Sequence, residues 1–175
     1  MNKAFLIFIL TAMAVTPVTW VVNKNEVKIS FSLPKENKTG TMNRLEAEIE
    51  FNPLEPAASR ITAKALVSSI ETDNGSMTTH LLSLDYFDAA QYPYITFVSS
   101  AIAKTDSGFT AKGDLTMKGN TRNVEIPFTF FENDTAGIFK GRMTIYCGDF
   151  GLLSNKENSP STQTDIIIEV PVFKK

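Results

Sequence analysis

The chain has 175 residues, with 17 basic and 19 acidic side chains and a formal net charge of -2; that near-balance excludes a basic footprint for nucleic acid or for anionic headgroups. One Cys and one His exclude an intramolecular disulfide, a cysteine zinc site and a multi-histidine metal centre, and leave one candidate base for a Ser-His-Asp triad. Hydrophobic residues make up 43%, with 13 Phe against one Trp, a composition that excludes a disordered chain and favours strands around a core.

Met1 to Val18 is the most apolar stretch. Lys3 gives a short positive start, Ala4 to Leu10 is an uninterrupted apolar run, and Ala12-Met13-Ala14 has the small-x-small form of a cleavage site. This is the layout of a secretory signal peptide. The run is shorter than the about 20 apolar residues a membrane-spanning helix needs, and Pro17 separates it from the rest of the chain. No Cys lies just beyond the run to carry a lipid anchor. We therefore expect residues 1–19 to be a leader, cleaved between about Ala14 and Thr19. Residues 20–175 are expected to form one domain, periplasmic or secreted, with no stable membrane anchor.

Beyond the leader the dominant period is two. Val27, Ile29 and Phe31 alternate with Lys28 and Ser30. Leu45, Ala47, Ile49 and Phe51 alternate with Glu46, Glu48 and Glu50. Val124, Ile126, Phe128 and Phe130 alternate with Glu125, Pro127 and Thr129, and Ile166, Ile168, Val170 and Val172 continue the pattern less cleanly. Such alternation marks antiparallel strands with one apolar face and one wet face. Turn signals separate them: Lys38-Thr39-Gly40, Asn52-Pro53, Asp106-Ser107-Gly108, Lys118-Gly119-Asn120 and Asn133 to Gly137. The predicted strands fall at about 20–31, 40–52, 60–71, 93–104, 108–118, 121–132, 137–149 and 163–173, eight in all, which suits an all-β, closed up-and-down barrel.

Two segments break the rhythm. Between Ser76 and Gln91, Thr78 or Thr79 offers an N-cap, and Leu81, Leu82, Leu84 and Phe87 supply an apolar stripe; a short helix or two is predicted there, between the third and fourth strands and ending before Pro93. Gly151 to Thr162 is rich in Ser, Asn and Pro and is predicted to be a loop. At the Lys118-Gly119 turn, flanked by Asp114 and Asn120, Gly119 supplies the positive φ of a tight hairpin. Cys147 sits at an apolar-facing strand position, where a free thiol behaves as a small hydrophobe. His80 has Ser83, Asp85 and Asp88 near it, but no Gly-x-Ser-x-Gly elbow accompanies it. It reads as a histidine at a helix start that anchors the helix by hydrogen bonds, and no catalytic or metal-binding residue is expected.

Specific blocks then stand out. His80-Leu81, Asp85-Tyr86-Phe87-Asp88, Tyr92-Pro93 with Ile95-Thr96-Phe97, and Gly113-Asp114-Leu115-Thr116-Met117-Lys118-Gly119-Asn120-Thr121 together resemble the YceI-like family. Ser69 to Thr72, Ile49 to Pro53 and Asp149-Phe150-Gly151 extend the likeness over nearly all of 20–175. Where many relatives carry Arg-Asp before the His-Leu, this chain has Thr78-Thr79, and a basic position two before the Asp-Phe-Gly is Cys147. The resemblance implies a lipocalin-like barrel with an apolar tunnel for an isoprenoid, quinone-like or other long-chain lipid. It also implies a binding protein without a cofactor, a possible homodimer, and structural roles for His80, Leu81, Asp85, Pro93, Gly113 and Gly119. The inward residues Ile29, Phe31, Ile49, Phe51, Phe97, Leu115, Met117, Ile126, Phe128, Phe130, Met143 and Ile145, with Phe87, are the candidate tunnel lining. Segments 74–93 and 151–162 are candidate gates. Alternation alone does not separate a hollow barrel from a packed one. A closed core would instead suit a stress-related module that binds a protein partner, and a turnover dependent on His80 would suit an isomerase or hydrolase.

Overall fold

The computed structural model describes residues 17–35, 37–152 and 162–175. Most of the predicted leader, and residues 153–161 of the predicted loop, lie outside the described residues.

Among the described residues eleven strands make one closed antiparallel sheet: β1 (Val18–Val22), β2 (Lys28–Leu33), β3 (Lys38–Met42), β4 (Leu45–Phe51), β5 (Arg60–Leu66), β6 (Ile70–Thr72), β7 (Tyr94–Thr105), β8 (Gly108–Met117), β9 (Asn120–Glu132), β10 (Ala136–Tyr146) and β11 (Gln163–Lys174). Six of these are halves of three long, broken strands. β1 and β2 both lie along β11, β4 and β3 pair with β1 and β2, and β5 and β6 pair with β4 and β3. Counted as long strands, the barrel is an eight-stranded up-and-down meander at the predicted positions. It closes where β1 meets β11, with Trp20 opposite Lys174 and Val22 opposite Val172.

The alternation read in the sequence becomes an inside and an outside. Along β8, Phe109, Ala111, Gly113, Leu115 and Met117 are buried, while Lys112 and Asp114 are exposed. Along β10, Phe139, Gly141, Met143 and Ile145 are buried between exposed Lys140, Arg142 and Thr144. Gly113 is required by a close approach. It lies opposite Ser99, beside the bulge between Ser99 and Ala101, and a Cβ there would collide with the Val98 carbonyl oxygen and the Ser99 backbone. Such bulges raise the local twist.

Two of the strand breaks are stitched together. Ser69 Oγ donates to the Leu66 carbonyl at 2.7 Å and accepts from the Arg44 backbone N–H at 3.4 Å, and Leu66 N–H donates to the Arg44 carbonyl at 3.0 Å. The 3-10 turn Val67–Ser69 therefore bends the third long strand where the second is also interrupted. Past the bend, β6 pairs with β3 alone and leaves β7. α1 (Gly75–Leu82) and the turns after it occupy that opening.

The helix starts earlier than predicted. Its cap is Asn74, whose Oδ1 accepts from Ser76 N–H at 2.9 Å and Met77 N–H at 3.2 Å. Asn is as good a cap as Thr, and it reaches two orphan donors here. Thr78, read as a cap, instead bonds β6, accepting from Thr72 N–H at 3.1 Å and sharing a hydroxyl contact at 2.9 Å. The helix ends at Leu82, and 83–92 is a run of hydrogen-bonded turns.

Replacing Gly113 by Ala is expected to destabilise the barrel by about 2 kcal/mol, because strand backbone rather than a flexible side chain must move. Urea unfolding should show a lower midpoint at unchanged slope.

Candidate functional site

The barrel has two unlike ends. At one end six aromatic side chains fill the interior. Phe51, fully buried, meets Phe109, Phe128, Phe130 and Phe139 edge-on, with ring centroids 5.1 to 5.6 Å apart. Trp20 packs edge-on to Phe130 at 5.0 Å, and its Nε1–H donates to the Phe51 carbonyl at 3.0 Å. Each such ring pair adds about 0.5–1.5 kcal/mol beyond the area it buries. Lys174 lies over the Trp20 ring at 5.5 Å and pairs with Glu132 at 3.7 Å.

Above this cluster the interior is hollow. A cavity of about 210 Å³ lies between the strands and the α1 side of the barrel. Among the described residues no charged one lines it, and of these only Thr96, Tyr86 and Cys147 bring a hydroxyl or thiol group to its wall. The hollow exists because several inward positions are small: Ala47, Ala63, Ala65, Ala111 and Gly141. Eight strands enclose a space that side chains can just fill, so small ones leave room. Gly141 shows this directly. A Cβ there would meet Ile126 Cγ2 at 3.4 Å, an ordinary contact. No backbone approach demands glycine, and the missing side chain is simply missing volume.

The sequence-predicted lining divides between the two regions. Ile29 and Phe31 of β2, Ile49 of β4, Phe97 of β7 and Leu115 and Met117 of β8 reach the cavity. So do Ile126 and Phe128 of β9, Met143 and Ile145 of β10, and Phe87. Phe51 and Phe130 do not: they lie in the aromatic cluster beneath, since alternation gives a residue's face but not its depth along the barrel axis. The small residues went unnamed as lining, although Ala47 alternates with Glu46 and Glu48 in plain view. Ile166 and Ile168 line the cavity too, and so does Tyr86.

The 75–92 segment caps the cavity. Leu81 is buried, and with Tyr86 and Phe87 it faces the lumen. The cap is held mostly by itself: Phe87 N–H donates to the Leu81 carbonyl at 3.0 Å, Asp88 N–H to the Ser83 carbonyl at 2.7 Å and Tyr92 N–H to the Asp88 carbonyl at 2.8 Å. Its ties to the barrel include the Thr72–Thr78 bonds. Val67 N–H donates to the Pro93 carbonyl at 2.9 Å, and Lys118 Nζ to the Leu84 carbonyl at 3.1 Å. Lys118 and Gly119, with φ of 46° and 75°, make the tight β8–β9 turn, and Gly119 faces the Tyr92 ring. Asn120 Nδ2 donates to the Phe150 carbonyl at 3.0 Å.

His80 departs from expectation. Its side chain is exposed and rests near the Tyr86 ring, with centroids 5.9 Å apart, while its carbonyl accepts from Ser83 N–H and Oγ. The backbone, not the imidazole, makes the anchoring bonds. Ser83 Oγ is thereby directed at a carbonyl at 2.7 Å and not at a base. Asp85 is exposed and Asp88 buried. Cys147 is buried on the cavity wall, its Sγ 3.0 Å from Thr164 Oγ1. Among the described residues no group of three His, Cys, Asp or Glu could hold a metal, and no helix is long and apolar enough to cross a membrane.

A model of the YceI-like domain matches residues 20–172. The chain belongs to the YceI-like family. It is 30% identical over 138 residues to a UPF0312 protein of Pseudomonas syringae pathovar tomato, covering 74% of this chain and 71% of that one. A UPF0312 protein of Yersinia enterocolitica is 26% identical over 137 residues, covering 75% and 71%. Among solved structures, BcnA of Burkholderia cenocepacia superposes with a TM-score of 0.79 at 26% identity, covering 86% of this chain and 98% of that one. A polyisoprenoid binding domain from Saccharophagus degradans, implicated in plant cell wall breakdown, superposes at 0.65 and 12% identity, covering 90% and 99%. At that identity the likeness is one of fold.

Replacing His80 by Ala is expected to change stability by less than about 0.5 kcal/mol, as for other exposed side chains without specific bonds; thermal unfolding checks this. Cys147 in the native protein is expected to react with iodoacetamide at least about a hundredfold more slowly than a free peptide thiol, because the barrel must first open. Intact-mass kinetics with and without urea measure the difference.

Proposed function

We propose that this YceI-like chain is a non-enzymatic carrier or store that buries the apolar tail of an isoprenoid or similar long-chain amphiphile inside the barrel. The cavity carries this reading. An unfilled void of about 210 Å³ costs about 5 kcal/mol at the roughly 24 cal/mol per Å³ seen for emptied cores. That is a large share of the about 5–15 kcal/mol that holds a domain folded. Each methylene buried returns about 0.8 kcal/mol, so about six methylenes offset the void.

The chemistry of the wall selects the ligand. With no charge among the described lining residues, a headgroup gains nothing from them by entering, and a tail gains its full transfer free energy. The volume is below the roughly 300–1,000 Å³ of ordinary small-molecule pockets, so the resting cavity takes a slender segment. A longer tail enters if the 75–92 cap lifts, and the self-contained bonding of that cap suits it to move as a unit. The described wall is almost wholly aliphatic and aromatic, which favours binding over turnover. The Saccharophagus degradans domain of the same fold is described as polyisoprenoid binding, which supports an isoprenoid tail. A protein-binding module with a closed core fits less well, because the core is hollow.

The address we propose is the periplasm or the exterior, reached through the apolar leader. The pairing of Val18 and Thr19 with Phe51 and Glu50 in β1 supports a cleavage point on the N-terminal side of Val18.

Native mass spectrometry of the protein purified from the periplasm without detergent is expected to show a one-to-one adduct that solvent extraction removes. Gly141→Leu should retain the barrel's circular dichroism but lose the adduct, because its side chain enters the lumen. A bare wild-type mass that persists after incubation with isoprenoid alcohols and quinones would refute the carrier reading. The same spectra report whether two barrels pair.

A further inference from the structure

We infer that Phe128 and Phe139 form a fixed floor to the cavity, one that sets the length of tail the barrel accepts and requires the buried end of the ligand to be apolar. The inference rests on the carrier reading above and adds which ligands fit. Both rings are on the cavity wall, whereas Phe51 and Phe130, their immediate neighbours, are not. The lumen therefore ends at this pair. Strand register places them together: Phe139 lies opposite Phe130, and Phe128 opposite Gly141, the residue whose missing side chain opens the space above.

The floor is braced from below. Phe139 meets Phe130 at 4.4 Å, Phe51 at 5.3 Å and Phe128 at 5.9 Å. Phe128 meets Phe109 at 5.4 Å and Phe51 at 5.6 Å. A ring held by several others cannot turn aside without displacing them, and close-packed interiors do not yield gradually. Under the floor, Trp20 is fixed by its bond to the Phe51 carbonyl and is covered by Lys174. A tail cannot thread through, and a second polar group at its far end would be buried without partners. The ligand class is therefore an amphiphile with one polar end, its tail length matched to the distance from the cap to these two rings.

The test uses full-length protein stripped of endogenous lipid and a homologous series of straight-chain fatty acids, titrated by calorimetry. In the wild type, affinity is expected to rise about fourfold per added methylene and then stop rising at one chain length. Phe139→Ala is expected to move that break by about three carbons, since the surroundings refill only part of a deleted ring. Phe139→Leu, a milder change that guards against loss of the fold, should move it less but in the same direction. Gly141→Val, which fills the space just above the floor, should move the break to shorter chains and leave the affinity of the shortest acids unchanged. A break unmoved in both Phe139 variants, or affinity that climbs without a break in the wild type, would overturn the floor. Failure of every acid to bind would overturn the carrier reading and the floor with it, a result distinct from binding without a break.

Discussion

Closing eight strands into a ring fixes the width of the space they enclose, and everything else about this barrel depends on how that width is filled. Backbone geometry sets the bore, and inward side chains decide whether it is core or cavity. Near Trp20 the choice is aromatic, and rings interlock around the fully buried Phe51. Toward the cap Ala47, Ala63, Ala65, Ala111 and Gly141 stand among the larger inward residues, and the same bore stays open. Stability and function are thus divided along one axis. The aromatic half resembles an ordinary protein core, and the hollow half depends on it for rigidity.

The cap is a consequence of strand geometry. The interruptions at 43–44 and 67–69 fall side by side, joined through Ser69 and Arg44. Bending both strands at one level swings β6 off β7 and opens the wall. A barrel with a gap exposes apolar interior and unpaired strand edge, so the gap must be covered. α1 does so with Leu81 inward, and Thr78 supplies Thr72 of the β6 edge with a hydrogen-bond partner.

Much of this was legible in the sequence. The eight strands emerged from period-two alternation because each has one wet face, and charged residues such as Glu46, Glu48 and Glu50 mark it plainly. The breaks inside three of them did not emerge: two rest on Ser69 and Arg44, which act across the sheet, and the first is a turn closed by Glu26 N–H on the Asn23 carbonyl. The helix start was placed at Thr78 or Thr79 rather than Asn74, since several residues in a row are capable caps and only the tertiary partner of Thr78 decides among them. For the candidate site, alternation placed Ile29, Phe97 and Met117 on the inner face but placed Phe51 and Phe130 there equally. Depth along the axis depends on register between strands far apart in sequence. Most telling, large apolar residues attracted notice as lining while the void is made by Ala and Gly. A hollow is written in what is absent, and absence carries little signal in one sequence.

The seam between β1 and β11 has one more consequence. Trp20 and Lys174 are partners across nearly the whole chain, and β11 also borders β10 and β2. Until residues 163–174 leave the ribosome, the first strand has no second neighbour and the ring stays an open, curling sheet. Contacts of such long sequence range form slowly, since the loop they close must first be gathered. A chain whose ring closes on its last strand completes its fold only once synthesis is over.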